Sequence, residues 1–345
     1  MPIETKNNRI LKLLCLVLLM GTTVASIESL AMNNSELKNQ LKIRIAENKR
    51  DIQAYIALAT IELDQGDLIS TEATIKSALR YARKPLLKLK LYTLGIILED
   101  QKQDFKSALR HYKRGKRLKG SDSRAALHLA MAKVYLRARN FEDARLLLQQ
   151  SLAADSMNNE EAETVLANLQ RIERALALSN SDIVYEKSIS RGEVARLLNQ
   201  DLGVTGILGK PITKSVGETS DQGLTDYTSS VFAEDILASH RLNLRSFRIR
   251  NGAFSPDREL TRSELALLVE DLLHFKFNIS RTSFIGSESP FSDLPSNATG
   301  FNAVMSAVTR GLMEGREDGT IGPKDLVSGA EAILVLHNLN QMLQK

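Results

Sequence analysis

The C-terminal half of the chain contains a segment that is repeated once in the sequence. This repeat limits the possible folds more than any other feature. Residues 224–273 align with residues 291–340 without a gap. Glycines, a proline and the residues that precede predicted helices coincide in the two copies. The best-matched elements are 251–256 with 318–323 and 260–264 with 327–331. Residues 189–193 repeat the last element a third time, so we expect one structural unit in two complete copies and one partial copy.

Each copy contains a Ser or Thr that is followed three residues later by a Glu and then by an apolar run. This spacing is typical of a capping box, in which the hydroxyl accepts an amide of the first helical turn and the carboxylate accepts the cap's own amide. The predicted pairs are Ser190 with Glu193, Thr261 with Glu264, and Ser328 with Glu331. The Asn-Gly or Asp-Gly that precedes the last two pairs, with a nearby Pro, predicts a tight turn. Each complete unit is therefore expected to be helix, turn, helix.

An arginine follows the predicted cap in two of the three copies. Arg191 follows Ser190 and Arg262 follows Thr261, whereas Gly329 takes this position in the third copy. A helix N-terminus carries free amides and partial positive charge, and a guanidinium adds a planar fork that can hold a carboxylate. These two caps and the two arginines are therefore candidates for an anion site. The alternative is that the arginines form local ion pairs at the surface.

Residues 35–178 carry apolar residues at helical spacing with few breaks, which predicts an all-helical region. The breaks divide it into helix–turn–helix segments at 55–78, 91–115 and 128–151. Small residues recur in the second helices with a period in the mid-thirties, and a larger apolar residue lies between them. The small positions are Thr71, Ala78, Ala108, Gly115, Ala144 and Ser151, and the larger residues are Ile75, Tyr112 and Leu148. Small residues at these positions let paired helices approach closely.

Charge divides the chain at the same place. Residues 32–178 hold 26 Lys and Arg against 18 Asp and Glu, whereas residues 179–345 hold 17 against 21. Such an asymmetry indicates modules with different surfaces and different partners. A spacing of three and four residues places Lys106, Arg110, Lys113 and Arg117 on one helix face. This face is a candidate patch for an acidic partner or an anionic envelope polymer, with a solvated helix face as the alternative.

The first 31 residues have the pattern of a secretory signal peptide. Lys6, Arg9 and Lys12 form a basic start, an apolar run follows at 13–20, and small residues follow at 21–26. The apolar run is too short to span a bilayer, and no later stretch approaches the length of a membrane helix. We therefore expect an exported chain without a membrane span after cleavage; the alternative is an uncleaved anchor. Export also argues against nucleic acid as the partner.

The sequence carries no motif for catalysis or for a cofactor. Cys15 is the single cysteine, which excludes disulfides, a cysteine-based zinc site and a thiol nucleophile. The five histidines show no metal-ligand spacing, and neither a nucleophile elbow nor a phosphate-binding glycine loop occurs. We therefore predict a protein that is not an enzyme and has no cofactor. A paired-carboxylate hydrolase remains as an alternative, because Asp and Glu are plentiful.

The N-terminal pattern resembles the tetratricopeptide repeat. Residues 91–98 look like the first-helix signature of this family, and residues 140–144 look like the second. The first copy departs from the family with Thr71 in place of the usual alanine. The resemblance implies a solenoid of helical hairpins over residues 32–178, whose groove holds a protein partner. An inert spacer is the alternative.

The C-terminal copies resemble the S-layer homology domain, most closely in the last copy. The likeness is carried by Phe291-Ser292-Asp293-Leu294-Pro295, Ala303-Val304, residues 311–315 and 318–323, and by Thr261-Arg262-Ser263-Glu264 in the copy before. The resemblance implies a pseudo-threefold helical bundle whose grooves bind cell-wall-linked polysaccharide, often with an acidic ketal. Gly329 and the absence of the family's tryptophans weaken this expectation.

The predicted protein is therefore all-α, with long loops at 203–230 and 279–290. The predicted parts are a signal peptide at 1–31, a tetratricopeptide-like domain at 32–178, and an S-layer-homology-like domain at 179–345 with a partial unit at 186–202 and units at 224–273 and 291–345. We expect a non-enzymatic envelope protein that docks noncovalently on cell-wall polysaccharide or peptidoglycan and binds a protein through its repeats. The alternative is a periplasmic assembly scaffold with a degenerate C-terminal module that binds proteins only.

Overall fold

A computed structural model describes residues 34–118, 124–155, 159–201, 203, 224–316 and 318–344. The predicted signal peptide and most of the predicted loop at 203–230 lie outside these residues. Regular structure in the described part is helical, with isolated β-bridges and no strand. The α-helices are α1 (Asn34–Glu47), α2 (Ile52–Asp64), α3 (Leu68–Tyr81), α4 (Pro85–Gln101), α5 (Phe105–Lys116), α6 (Ala125–Arg137), α7 (Phe141–Ala154), α8 (Glu160–Leu176), α9 (Arg191–Arg196), α10 (Ala233–His240), α11 (Arg262–Phe277), α12 (Phe301–Thr309) and α13 (Gly329–Leu343). None of these helices is both long and apolar enough to cross a membrane.

The chain divides into two compact units, one up to Glu163 and the other from Thr164 to Lys345. The division falls within α8, earlier than the boundary at residue 178 that the sequence suggested. The reason lies in the packing of the last turns of α8. Ala175 belongs to the C-terminal core, and Ile172 and Leu176 pack against that core. These turns are therefore part of the C-terminal unit.

The second helix of each N-terminal hairpin begins with the same turn. The side chain of the N-cap accepts a backbone amide three residues later. These bonds join Asp67 to Ser70, Asp104 to Ser107 and Asn140 to Asp143. The residue directly before each cap has a positive φ. These residues are Gly66, Gln103 and Arg139. The repeat in the sequence is thus matched by a repeat in backbone geometry.

Tight packing between the paired helices uses the small residues that recur in the sequence. All of the small and larger repeat positions are buried: Thr71, Ile75, Ala78, Ala108, Tyr112, Gly115, Ala144, Leu148 and Ser151. A Cβ added at Gly115 would lie 2.9 Å from a methyl carbon of Leu127. The first helices of successive hairpins also contact each other. The N-terminal unit is therefore a row of hairpins whose spacing is set by small side chains.

A polar pair lies inside this row. The Tyr112 hydroxyl and His128 Nδ1 are 3.0 Å apart, and both side chains are buried. Burial lowers the pKa of His128 to about 4, with a further contribution from Lys116 and Arg124. The imidazole is therefore neutral in the folded protein and can accept the tyrosine proton in a hydrogen bond.

The C-terminal unit is closed by three backbone hydrogen bonds that form a circle. Ile189 N donates to Val327 O at 2.8 Å, Val327 N donates to Leu260 O at 2.9 Å, and Leu260 N donates to Ile189 O at 2.9 Å. Each of these residues lies two positions before a helix, namely α9, α11 or α13. All three side chains are fully buried. The starts of the three repeated helices therefore meet at one point in the core.

Gly329 lets the third helix start approach the segment before α9. Its amide donates to Glu186 O at 2.9 Å. A Cβ at residue 329 would lie 1.6 Å from Ile183 O, in the short 3₁₀ helix Asp182–Tyr185. No side chain fits in that space, so the glycine is required by packing and an arginine is excluded there.

Acidification should destabilise the N-terminal unit through His128. Because the folded-state pKa lies below the ordinary value of 6.5, the unfolded chain binds the extra proton. Stability from this group is complete above about pH 6.5 and is lost as pH falls toward about 4, by about 1–3 kcal/mol. Urea unfolding of the full chain, followed by far-ultraviolet circular dichroism, should show a smaller loss over this range for His128→Gln than for wild type. Equal losses in the two proteins would contradict the prediction.

Substitution of Gly329 should disturb the C-terminal unit more than substitution of another glycine at a helix start. Gly329→Ala places its methyl group against a backbone carbonyl, so we expect a loss of at least about 2 kcal/mol. Gly192→Ala is the matched control, because its Cβ would meet the Phe232 ring, which can rotate away. We expect that variant to lose no more than about 1 kcal/mol. Urea unfolding of the full chain measures both, and equal stabilities would rule out the close approach.

Candidate functional site

The turn of each complete C-terminal unit is held by an aspartate from the start of the same unit. Asp226 accepts the amides of Phe254 and Ser255 at 2.8 and 2.7 Å, one on each carboxylate oxygen. Asp293 accepts the amides of residues 321 and 322 at the same two distances. The aspartate at the start of each complete unit and the turn later in that unit are therefore repeated together, because the aspartate holds the turn. The turns that they fix form the surroundings of the two helix-start arginines.

Arg262 lies at the first position of α11 and is 6% exposed. Its Nε donates to Glu331 Oε1 at 2.8 Å, and one Nη donates to Glu314 O at 2.6 Å. The other Nη donates to the carbonyl oxygen of Ile321, in the turn that Asp293 holds. All three nitrogens thus bind the last unit, and this arginine joins two units of the repeat.

Arg191 occupies the corresponding position at the start of α9 and is 4% exposed. Its Cζ lies 4.7 Å from the centroid of the Phe254 ring and 5.6 Å from that of Phe247. One Nη lies 3.4 Å from Arg248 O, and Nε is buried with no hydrogen-bond partner among the described residues. Burial, with the neighbouring charge of Arg258, lowers the pKa of Arg191 to about 10. The side chain remains a cation at neutral pH.

Both arginines thus lie inside the unit, which differs from the forks open to a ligand that the sequence suggested. The physical reason is a backbone hydrogen bond at each of the two arginines. Arg191 N donates to Arg258 O and Arg262 N donates to Asp325 O, each at 2.9 Å. These bonds hold each helix start against the turn of the next unit, so the guanidinium is directed into that turn and requires internal partners there. Anion binding by Arg191 and Arg262 stays a prediction.

The predicted caps also have internal partners. The Ser190 and Thr261 hydroxyls accept the amides of Glu193 and Glu264, at 3.2 and 3.4 Å. The two carboxylates accept the amides of their caps in return, at 2.7 and 3.0 Å. These hydroxyls therefore serve the helix, which leaves them little capacity for the ligand contact that the sequence suggested.

The third helix start uses its glutamate differently. Ser328 Oγ accepts the amide of Glu331 at 3.2 Å, as expected for the cap. The Glu331 carboxylate, predicted to complete the capping box, is instead 2.8 Å from Arg262 Nε. A buried guanidinium needs a counter-charge more than a helix start needs a second cap. Glu331 therefore links α13 to α11.

A shallow groove runs past Arg262 on the outside of the C-terminal unit. Two further arginines, Arg171 and Arg174 from the end of α8, line it. Arg174 is exposed and lies 3.8 Å from Glu314, whereas Arg171 is half-buried. The other lining residues are Arg262, Gly311, Leu312, Met313, Glu314, Glu331, Leu334, Val335 and Asn338. Sequence reasoning missed the two arginines because it assigned this helix to the N-terminal repeats.

The basic residues predicted on one face of α5 are exposed. Lys106, Arg110, Lys113 and Arg117 all belong to the accessible surface. Arg110 donates to Ser107 Oγ at 2.6 Å. Within the part of the chain that the structure describes, these four side chains make no ion pair. The predicted patch is thus present as a charged surface, and its partner stays a prediction.

Two histidines have contacts that serve the fold. His128 pairs with Tyr112, and His274 Nδ1 lies 2.9 Å from Ile279 O. No group of three His, Cys, Asp or Glu side chains in the described ranges could hold a metal ion.

Comparison with known protein families finds a match in the last copy of the repeat. The family model of the S-layer homology domain matches residues 290–333. Cell surface glycoprotein 1 of Acetivibrio thermocellus is 35% identical over 104 residues, which cover 30% of this chain and 4% of that protein. The chain thus corresponds to a small part of this curated relative. No solved structure matches the chain significantly.

The family match begins just before Asp293 and ends beyond Ser328 and Glu331. It therefore includes the aspartate that holds the turn, the carbonyl groups that receive Arg262, and the start of α13. This agreement between the pattern of the family and the contacts of the unit identifies an S-layer homology domain at residues 290–333.

Proposed function

We propose that this protein is a non-enzymatic cell-envelope protein whose C-terminal unit attaches noncovalently to a cell-wall-linked glycan or to peptidoglycan. The S-layer homology domain at residues 290–333 carries the proposal. The similarity to a cell surface glycoprotein supports the location. In this proposal the first 31 residues act as the export signal, and the exported chain has no catalytic role.

The C-terminal unit works as a pseudo-threefold bundle in this proposal. The circle of hydrogen bonds through Ile189, Leu260 and Val327 supports this arrangement, because it joins equivalent positions of the three copies. The partial first copy supplies one helix start, and the two complete copies supply the others. Grooves between the copies are the docking positions.

The docking position with the best support is the groove beside Arg262. Arg171 and Arg174 offer cations on its outer wall. Arg262 holds Glu331 and the turn at residue 321, so it keeps the groove in shape as a positioning residue. Arg191 has the same purpose at the preceding turn. An acidic sugar that enters the groove binds the two outer arginines through charge-assisted hydrogen bonds.

The N-terminal unit binds a protein partner in this proposal. The recurring turn at the caps Asp67, Asp104 and Asn140 supports a tetratricopeptide-like solenoid. The buried small residues of the second helices support it as well. Stacked hairpins of this kind form extended surfaces that suit a peptide or a partner helix.

A second candidate function is an assembly scaffold in which both units bind proteins. The burial of Arg191 and Arg262 favours it, because neither guanidinium is open to a glycan. The glycine at 329 removes the third arginine, and the chain has no tryptophan for stacking on a sugar.

Loss of the outer arginines should weaken attachment to the wall. The full chain should sediment with purified cell walls, and Arg171→Gln with Arg174→Gln should weaken this binding tenfold or more. The physical reason is the loss of two charge-assisted contacts, each worth about 1–3 kcal/mol. Cosedimentation at increasing wall concentration measures the effect.

The matched control for this experiment carries Arg241→Gln and Lys276→Gln, which change the same charge at exposed positions of the same unit. This control should bind like wild type. A wild-type chain that stays in the supernatant would contradict the wall proposal. Wall binding that both double variants retain would contradict the docking groove at Arg171 and Arg174.

A further inference from the structure

The exposed side of α5 carries a dense row of positive charges. Six exposed cations lie there within twelve residues. Lys116 lies over the Tyr112 ring, 5.9 Å from its centroid, and the other five are together named the cation face: Lys106, Arg110, Lys113, Arg114 and Arg117. All five side chains are exposed. Among the described residues, none of them is in an ion pair. The face therefore presents a concentrated and unneutralised positive charge.

Acidic residues near the cation face are engaged elsewhere. Asp104 caps α5 by accepting the amide of Ser107 at 3.0 Å. Glu72 lies 2.5 Å from Lys102 Nζ. Glu99 is 8% exposed, and burial raises the pKa of its carboxyl. Glu99 and Asp104 interact electrostatically with Arg110, so the charge that is most available to a ligand is that of Lys106, Lys113, Arg114 and Arg117.

The fold gives no reason for so many cations on α5. Lys106 lies in the first helical turn, next to free amides that favour a negative side chain. Lys106 and Arg110, Arg110 and Arg114, and Lys113 and Arg117 are each four residues apart, where like charges repel. Only the cations in the last turn suit the negative end of the helix. Helix stability therefore does not explain the whole set of cations.

A cleft of about 480 Å³ adjoins the cation face. It opens between α3, α4 and α5. Its lining combines the cations Lys102, Arg110 and Arg114 and the His111 ring with the carboxylates of Glu72, Glu99 and Asp104. The Nδ1 atom of His111 is buried there with no partner among the described residues. Arg110 and Arg114 thus belong both to the convex helix surface and to a concave space of mixed charge, and an anionic group that enters this space meets them from a second side.

The chemistry of the surface identifies the class of ligand. Protein interfaces exclude Lys from their centre and depend on aromatic anchors, but every member of the cation face is charged. A helix that lies on a membrane exposes an apolar face, whereas the apolar side of α5 is buried through Ala108, Tyr112 and Gly115. Guanidinium groups match phosphate oxygens in pairs. Lys106 and Arg117 are about 16 Å apart along the helix, which exceeds the size of one phosphate.

We propose that the cation face and its cleft bind a linear, phosphate-bearing polymer of the cell envelope. The inference rests on the proposed function, because only an exported chain meets such a polymer. It adds a second attachment point, on the N-terminal unit, to the one proposed for the C-terminal unit. Two linked contacts with one wall raise the overall affinity through effective concentration.

The experiment measures binding of the full chain to long-chain inorganic polyphosphate at several salt concentrations. The test variant carries Lys106→Gln, Lys113→Gln and Arg117→Gln. The control carries Lys42→Gln, Lys49→Gln and Lys90→Gln, which remove the same charge at exposed positions outside the cation face. The test variant should bind at least about tenfold more weakly, and its salt dependence should fall by about 0.7 in the log–log slope for each lost contact. The control should stay within about twofold of wild type.

Equal losses in the test variant and the control would overturn the proposal, because net charge alone would then explain binding. Binding that polyglutamate matches at equal charge, or binding to anionic lipid vesicles without binding to polyphosphate, would overturn it as well. The experiment distinguishes failure of this proposal from failure of the proposed docking of the C-terminal unit on the wall. Unchanged wall binding in the variant with Arg171→Gln and Arg174→Gln would contradict the docking groove. Polyphosphate binding by the same variant would still support the cation face.

Discussion

The circle of hydrogen bonds through Ile189, Leu260 and Val327 is the constraint on which the C-terminal unit depends. Buried backbone amides must be paired, and here each amide is paired by a different copy of the repeat. The circle uses only main-chain atoms, so it places no demand on side-chain identity beyond an apolar group at each position. This is why the helix starts keep their arrangement although the residues that follow them differ. Arg191, Arg262 and Gly329 share one backbone position and have three different surroundings.

Burial changes what a charged side chain can contribute. Arg262 satisfies its nitrogens with a carboxylate and two carbonyl oxygens, whereas Arg191 lies over two phenylalanine rings. A guanidinium that has been removed from water must be paired where it lies, and separation of such a pair is costly. These arginines therefore hold adjacent copies together, and in the proposed function a ligand is bound by cations that remain in water. The groove at Arg171 and Arg174 and the exposed side of α5 offer such cations in the two units separately.

Local signals in the sequence predicted local structure well. The capping residues Ser190 and Thr261 need only the amides of their own first turn, so the spacing to the glutamate was sufficient to assign them. The small residues of the second helices could also be assigned, because their period reports close helix packing. Contacts between residues that are distant in the sequence could not be assigned in this way. Glu331 follows the capping pattern, but Arg262 competes for its carboxylate, and no local pattern records that the two side chains meet. The boundary suggested at residue 178 differs from the division after Glu163 for the same reason, since Ile172 and Leu176 continue a helical pattern without a break.

The closing contact of the C-terminal unit has a consequence for biosynthesis. Ile189 is translated long before Val327. The amide of Ile189 therefore has no acceptor in Val327 while the residues between them are being synthesised. During that interval the first helix start is incomplete, and its apolar side chains are open to other surfaces. The C-terminal unit can therefore complete its core only after the residue that closes the circle has been translated.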